Sequence, residues 1–210
     1  MTVSIFDHQL PNDSHNLYDV SFYTDNIHTL VTQTPSMVNT WLTETYQIYQ
    51  SRPHRMIVGL DVEWRPSFNS YQNRVATLQL CVDGRCLIFQ LIHAPFIPPS
   101  LVNFLGDASL TFVGVGIESD AERLLEDYGL GVANAVDLRV LAAEELGGRE
   151  LRNAGLRGLV MEVLGKELTK PKRVTMSRWD NMWLTHAQVQ YACLDAFLSF
   201  EIGKCLNAAG

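Results

Sequence analysis

The sequence predicts an α/β domain in which one mixed β-sheet is covered by helices. Three observations carry that prediction. Three strand-like segments follow one another between residues 55 and 91, the last two joined by a tight turn. Beyond them, strands alternate with helices. And 210 residues, 47% of them hydrophobic, can bury one sizeable core. Antiparallel pairing in the first group and crossover helices in the second make the sheet mixed, with the strand order left open.

The first 54 residues read as an extension packed on a main domain of residues 55–210. Tyr18 to Gln33 suits a hairpin turning at Asp25-Asn26, because β-branched and aromatic residues flank a turn dipeptide. Thr34-Pro35 supplies an N-cap followed by proline at the first helical position, opening a helix to about Gln50. Arg55 to Trp64 is an apolar run that becomes alternating, hence a buried strand. Arg74 to Val82 and Arg85 to Leu91 follow, joined by Asp83-Gly84, a strong hairpin signal. A helix from near Pro99 leads to a buried strand over Leu110 to Gly116. Ser119 to Tyr128 is a helix with Leu124, Leu125 and Tyr128 on its apolar face, and Ala135-Val136-Asp137 is a short strand running into a helix over Leu138 to Leu146. Leu156 to Leu164 is a further amphipathic helix. In the last helix, Thr185 and Gln188 form a capping box and apolar residues recur at helical spacing to about Leu206.

Composition narrows the function classes. The chain opens on no basic flank with an apolar run, and nowhere do eighteen apolar residues run together, so neither a signal peptide nor a transmembrane helix is expected. A soluble, intracellular protein is predicted. Cys81, Cys86, Cys193 and Cys205 are too few for a disulfide scaffold and include no CxxC pair, so they read as reduced thiols even though Cys81 and Cys86 flank one turn. A net charge of −7 argues against a protein that coats nucleic acid by neutralising phosphates. It leaves room for a nuclease that grips a strand end, since a carboxylate cluster cancelled by cations accounts for part of that charge.

The acids are the informative residues. Asp61 and Glu63, two apart near the end of an apolar strand, project from one face of the sheet. Side by side there they need cations or shared protons; ion pairs with Arg65 or Arg74 are the competing account. Asp120 falls in the first turn of a helix, where an acid also serves the helix dipole. Tyr191 and Asp195, four apart on the last helix, share a face, and Asp195 interrupts a run of core residues. Hard cations such as Mg²⁺ or Mn²⁺ take oxygen ligands, and a two-metal phosphodiesterase site takes about four carboxylates from separate elements.

Leu60-Asp61-Val62-Glu63-Trp64, then Gly114-Val115-Gly116-Ile117-Glu118-Ser119-Asp120, then Tyr191-Ala192-Cys193-Leu194-Asp195-Ala196 resemble the three exonuclease motifs of the DnaQ-like DEDD superfamily, in the form of the Werner-syndrome exonuclease domain. Thr77 to Cys81, Leu164-Gly165-Lys166, Ser177-Arg178-Trp179 and Leu184-Thr185 agree as well, and the likeness runs from about Met56 to Leu206. Tyr191 stands where the Tyr subtype of the family has its tyrosine. The resemblance implies the RNase H-like fold and metal-dependent 3′→5′ hydrolysis releasing nucleoside 5′-monophosphates. Asp61 is expected to bridge two ions, with Glu63 and Asp195 on the ion that activates the attacking water and Asp120 on the second. Tyr191 orients that water; with an ordinary pKa of about 10 it is a poor base.

The chain is similar to the small stand-alone plant members of this group. That similarity implies single-stranded RNA as substrate, a homo-hexamer, an Argonaute-type protein partner in clearing RNA fragments, and a place in the cytoplasm, with the nucleus second. A Werner-type DNA exonuclease acting in repair and an inactive nucleic-acid-binding scaffold are the alternatives; five intact site residues oppose the scaffold. Lys166, Lys170, Lys172, Arg173 and Arg178 gather five of the chain's 16 basic residues ahead of the last helix and are candidates for gripping phosphates. Trp64 is a candidate for stacking on the terminal base. Trp179 and Trp183 read as core, and no histidine has metal-ligand spacing.

Overall fold

The computed structural model of the chain describes residues 3–11, 14–49, 55–67 and 71–209. Eight strands form a single sheet: β1 (Val3–Asp7), β2 (His15–Phe22), β3 (Asp25–Thr32), β4 (Ile57–Trp64), β5 (Val75–Val82), β6 (Arg85–Phe89), β7 (Thr111–Gly114) and β8 (Ala135–Asp137). Their order is β1-β2-β3-β6-β5-β4-β7-β8. The two hairpins β2–β3 and β5–β6, and the β4–β5 pair, are antiparallel; β3 joins β6, β7 joins β4 and β8 joins β7 in parallel. The parallel joins need crossovers, and helices supply them.

Two helical layers cover the sheet. On one face lie α1 (Pro35–Tyr49), α2 (Pro99–Leu105) and α3 (Ile117–Tyr128), whose Val38, Trp41, Leu101, Phe104 and Leu124 pack on Val58, Leu60 and Leu80 of the sheet. On the other lie α4 (Leu138–Glu145), α5 (Leu156–Leu164), the single turn α6 (Lys172–Thr175) and α7 (His186–Cys205). With both faces covered, central β5 is buried at all eight positions, its polar Thr77 and Gln79 included. Helix α7 lies between the sheet and α5, and is buried at every position from 191 to 200. A helix apolar on all sides is stable only when surrounded in this way. Among the described residues no helix is long and apolar enough to cross a membrane.

Several expectations need correction. The first hairpin turns at Tyr23-Thr24, not Asp25-Asn26: Phe22 faces Asp25, and Tyr23 takes a left-handed φ of 54°. That register pairs Val20 with Ile27 and buries both. Leu125 does not share the buried face of α3. It is 57% exposed while Leu124 is fully buried, since one residue is a rotation of about 100°. Strand β1 and helix α6 had no counterpart in the sequence reading, being too short to show a period. The expected end of α1 at Gln50 and the residue 54 boundary lie outside the described residues. Cys81 and Cys86 face each other across the β5–β6 hairpin as free, buried thiols.

A candidate metal centre between the sheet and the last helix

Strand β4 alternates, sending Val58, Leu60 and Val62 to the α1–α3 side and leaving Gly59, Asp61 and Glu63 on the side of α7. Gly59 decides how close α7 comes. A Cβ at this position would sit 2.0 Å from the carbonyl oxygen of Ala196 and 2.8 Å from the amide nitrogen of Phe200. The helix backbone therefore lies directly on the strand, and Asp195, one residue before Ala196, is brought to Asp61. Ligand oxygens of Asp61, Glu63 and Asp195 all fall within 4.8 Å of one another.

These acids are short of positive charge. Burial, then the neighbouring Asp195, Glu63 and Asp120 charges, push Asp61 well above the ordinary carboxylate range, and burial followed by Asp195 does the same to Glu63. One oxygen of Asp61, Oδ2, is buried with no hydrogen-bond partner. Neither arginine weighed as a partner serves the pair: Arg65 reaches Asp180 at 3.3 Å, and Arg74 donates to the Asp127 carbonyl and lies over the Tyr128 ring. Converging all-oxygen donors, with Asp61 Oδ2 left unpartnered among them, are the donor set that a hard divalent cation needs.

Asp120 is outside the 4.8 Å group but close enough for its charge to reach Asp61 and Glu63. It sits in the first turn of α3, which starts from Gly116 at φ 78°, a conformation open to glycine and costly for other residues. Asp137 pins that turn. Its carboxylate accepts from Gly116 N at 3.1 Å and from Arg139 N, Nε and Nη2 at 2.8, 3.0 and 2.6 Å. Against its own burial, these bonds hold Asp137 below the usual carboxylate range. Asp120, lacking such donors, is pushed up by burial to about 7, with Arg123 opposing. The sequence reading missed Asp137 as a positioning residue; its signal is an acid that ends a strand and caps the next helix.

Tyr191 is one turn before Asp195 on the same face of α7. Its hydroxyl accepts from Thr175 Oγ1 at 3.1 Å, and Trp179, fully buried, packs 5.9 Å from its ring. Burial, and next the Asp195 charge, raise the phenol further above 10, so it stays a hydrogen-bond donor rather than a base.

Lys170 enters the cluster itself. Its ammonium is 2.5 Å from Asp195 Oδ2 and 4.6 Å from the centre of the Tyr191 ring. Although burial works against the charge, Asp195 and Asp61 keep Lys170 above the ordinary lysine range. The other basic residues lie elsewhere. Lys166 binds Asp25 at 2.7 Å at the β2–β3 turn, Lys172 and Arg173 are exposed on α6, and Arg178 reaches Asp180 at 3.4 Å. Trp64 is half-buried, with the Arg123 guanidinium 3.8 Å above its ring. A cation entering the cluster competes with the Lys170 ammonium for Asp195. Lys170→Met should therefore bind Mn²⁺ several-fold more tightly by calorimetry, while its metal-free form loses roughly 3–5 kcal/mol of stability through the unpaired Asp195. Unchanged Mn²⁺ affinity would rule out that competition.

The family model described as "3′-5′ exonuclease" matches residues 36–209. A 3′-5′ exonuclease of Arabidopsis thaliana is 40% identical over 71% of this chain and 52% of its own length. The bifunctional 3′-5′ exonuclease/ATP-dependent helicase WRN of Mus musculus is 37% identical over 73% of this chain and 11% of its own. The chain thus spans about half the length of the first relative and about a tenth of the second. A crystal structure of the EXD2 exonuclease domain soaked in Mn and dGMP superposes with a TM-score of 0.51 at 26% identity, covering 86% of this chain and 89% of that one. The shared architecture is the RNase H-like fold.

Proposed function

We propose, for a chain that belongs to the 3′-5′ exonuclease family, that it hydrolyses single-stranded RNA from the 3′ end and releases nucleoside 5′-monophosphates. Asp61, Glu63, Asp120 and Asp195 would hold two divalent cations, Mg²⁺ or Mn²⁺. The observation that carries this reading is the buried, partnerless Asp61 Oδ2 among converging carboxylates. Bound there, the cations would neutralise the phosphate and favour ionisation of the attacking water.

The chain's own groups supply the rest. Tyr191, protonated and braced by Thr175 and Trp179, donates its hydroxyl hydrogen to position the attacking water. Burial keeps the Cys193 thiol protonated, and it accepts a bond from Thr29 at 3.1 Å, so it is no nucleophile and no covalent intermediate is needed. Tyr191→Phe keeps the ring and loses the donor. Its kcat should fall about 10- to 100-fold with KM little changed, measured on a 3′-labelled oligomer; wild-type kcat would remove the hydroxyl from the mechanism.

A DNA strand is the second reading: the EXD2 domain has been soaked with dGMP as well as with GMP, so its ligands favour neither sugar. Matched RNA and DNA oligomers, labelled at either end and incubated with Mg²⁺, Mn²⁺ or EDTA, decide between them. Metal-dependent shortening from the 3′ end, faster on RNA, is expected; faster loss of DNA reverses the substrate, and no loss of either defeats the hydrolase reading. The likeness to stand-alone plant exonucleases also supports a homo-hexamer, an Argonaute-type partner and a cytoplasmic site of action, with residues 1–54 as an extension able to join an interface. Light scattering on the purified chain tests the assembly.

A further inference from the structure

Trp183, read from sequence as core, is 61% exposed. It is not on a loose tip. Gln90 Nε2 donates to the carbonyls of Asn181 and Met182 at 3.2 and 3.0 Å, His93 Nε2 lies 3.0 Å from the Asp180 carbonyl, and Gln188 Nε2 donates to the Arg178 carbonyl at 3.2 Å. Residues 178–182 are thus tied to the end of β6 and to the first turn of α7, and they hold out a large aromatic ring that burial elsewhere would stabilise.

The surroundings are cationic. Arg65 and Arg178 converge on Asp180 at 3.3 and 3.4 Å, and Lys172 and Arg173 are exposed on α6. Two arginines thus share one acid beside Trp183 in sequence, and two further exposed cations stand on the preceding turn, on a chain whose net charge is −7. The position also fits a substrate path. Arg65 is two residues beyond Glu63, about 7 Å along an extended chain. Trp183 is two residues ahead of the α7 N-cap, and Tyr191 follows that cap by six residues, roughly 9 Å of helix.

We propose that Trp183 is a stacking platform for a base of the incoming single strand, upstream of the terminal nucleotide, with Arg178 and Arg65 on the flanking phosphates. An aromatic face set among cations is how proteins hold single strands without reading sequence. An apolar protein partner would not select this concentration of positive charge. The proposal rests on the nuclease reading for its substrate, while strand binding can be measured without turnover.

The test compares wild type, Trp183→Ala, Trp183→Phe and Arg178→Ala on a single-stranded 12-mer and on a dinucleotide of the same chemistry, by turnover and by fluorescence anisotropy. Trp183→Ala should raise the Kd and KM of the 12-mer roughly 5- to 100-fold, leave the dinucleotide unaffected, and be largely rescued by phenylalanine. Arg178→Ala should make 12-mer binding less salt-dependent. Equal losses on both lengths, or none on the 12-mer, would overturn the platform. So would a change in oligomeric mass in Trp183→Ala with unaltered strand affinity, which would make Trp183 a contact between copies. If wild type cleaves nothing yet binds the 12-mer through Trp183, the platform stands and the nuclease reading falls. If it binds no strand, the platform falls as well.

Discussion

Asp61→Asn should lose nuclease turnover by on the order of 10³-fold or more, roughly 4 kcal/mol of transition-state stabilisation, yet melt higher than wild type in EDTA. The two results share one cause. Asp61 is half-buried beside Glu63 and Asp195, and its Oδ2 is fully buried with no partner, so its charge destabilises the metal-free fold. The amide removes that charge and keeps the shape. The sign of the pH dependence follows. A carboxyl raised in the folded state, as Asp61 and Glu63 are by burial and neighbouring acids, contributes stability below its unfolded pKa of about 4, and that contribution is lost as pH rises through the folded value. In EDTA the advantage of Asp61→Asn over wild type should therefore grow as pH rises above about 4. Mn²⁺ should raise the melting temperature of wild type and not of the variant. Wild-type turnover by Asp61→Asn would remove Asp61 from the site; a lower melting point in EDTA would contradict the charge argument.

Gly59→Ala should destabilise the fold by about 3 kcal/mol or more, a drop of roughly 6–12 °C for a domain of this size. The added methyl would meet the Ala196 carbonyl oxygen at 2.0 Å and the Phe200 nitrogen at 2.8 Å. Both belong to the backbone of α7, which is buried all along that stretch and cannot yield as a side-chain tip can. Any relief moves the helix off β4 and draws Asp195 and Tyr191 away from Asp61, so turnover should fall further than stability alone explains. Gly131→Ala is the control, since nothing lies within 4 Å of its Cβ. Melting of Gly59→Ala within 2 °C of the control would show that the close approach of α7 is not needed.

Much of the site is legible in local spacing. Two acids at i and i+2 on a strand, and Tyr191 four residues before Asp195 on a helix, each imply a shared face from backbone geometry alone. The Thr185–Gln188 capping box is present in full, so the start of α7 was readable to the residue. The errors fall where local pattern has no grip. Leu125 and Leu124 look alike in sequence but differ in burial because α3 presents one stripe to the sheet. Trp183 reads as core by residue type, although its surroundings hold it in solvent. The first hairpin slipped because Asp25-Asn26 is the stronger turn dipeptide, whereas register is set by the pairing of Val20 with Ile27.

The order of the longer elements, the face each acid occupies on its own strand or helix, and the protonated character of Tyr191 follow from residue spacing and intrinsic chemistry, which act over a few residues. The meeting of Asp195 with Asp61 across Gly59, the Lys170 ammonium on Asp195 from 25 residues away, the Asp137 brace under Gly116 and the outward set of Trp183 arise only when distant segments fold together. Loop paths and the close packing of α7 on β4 bring those groups within a few ångströms, and no local periodicity encodes either.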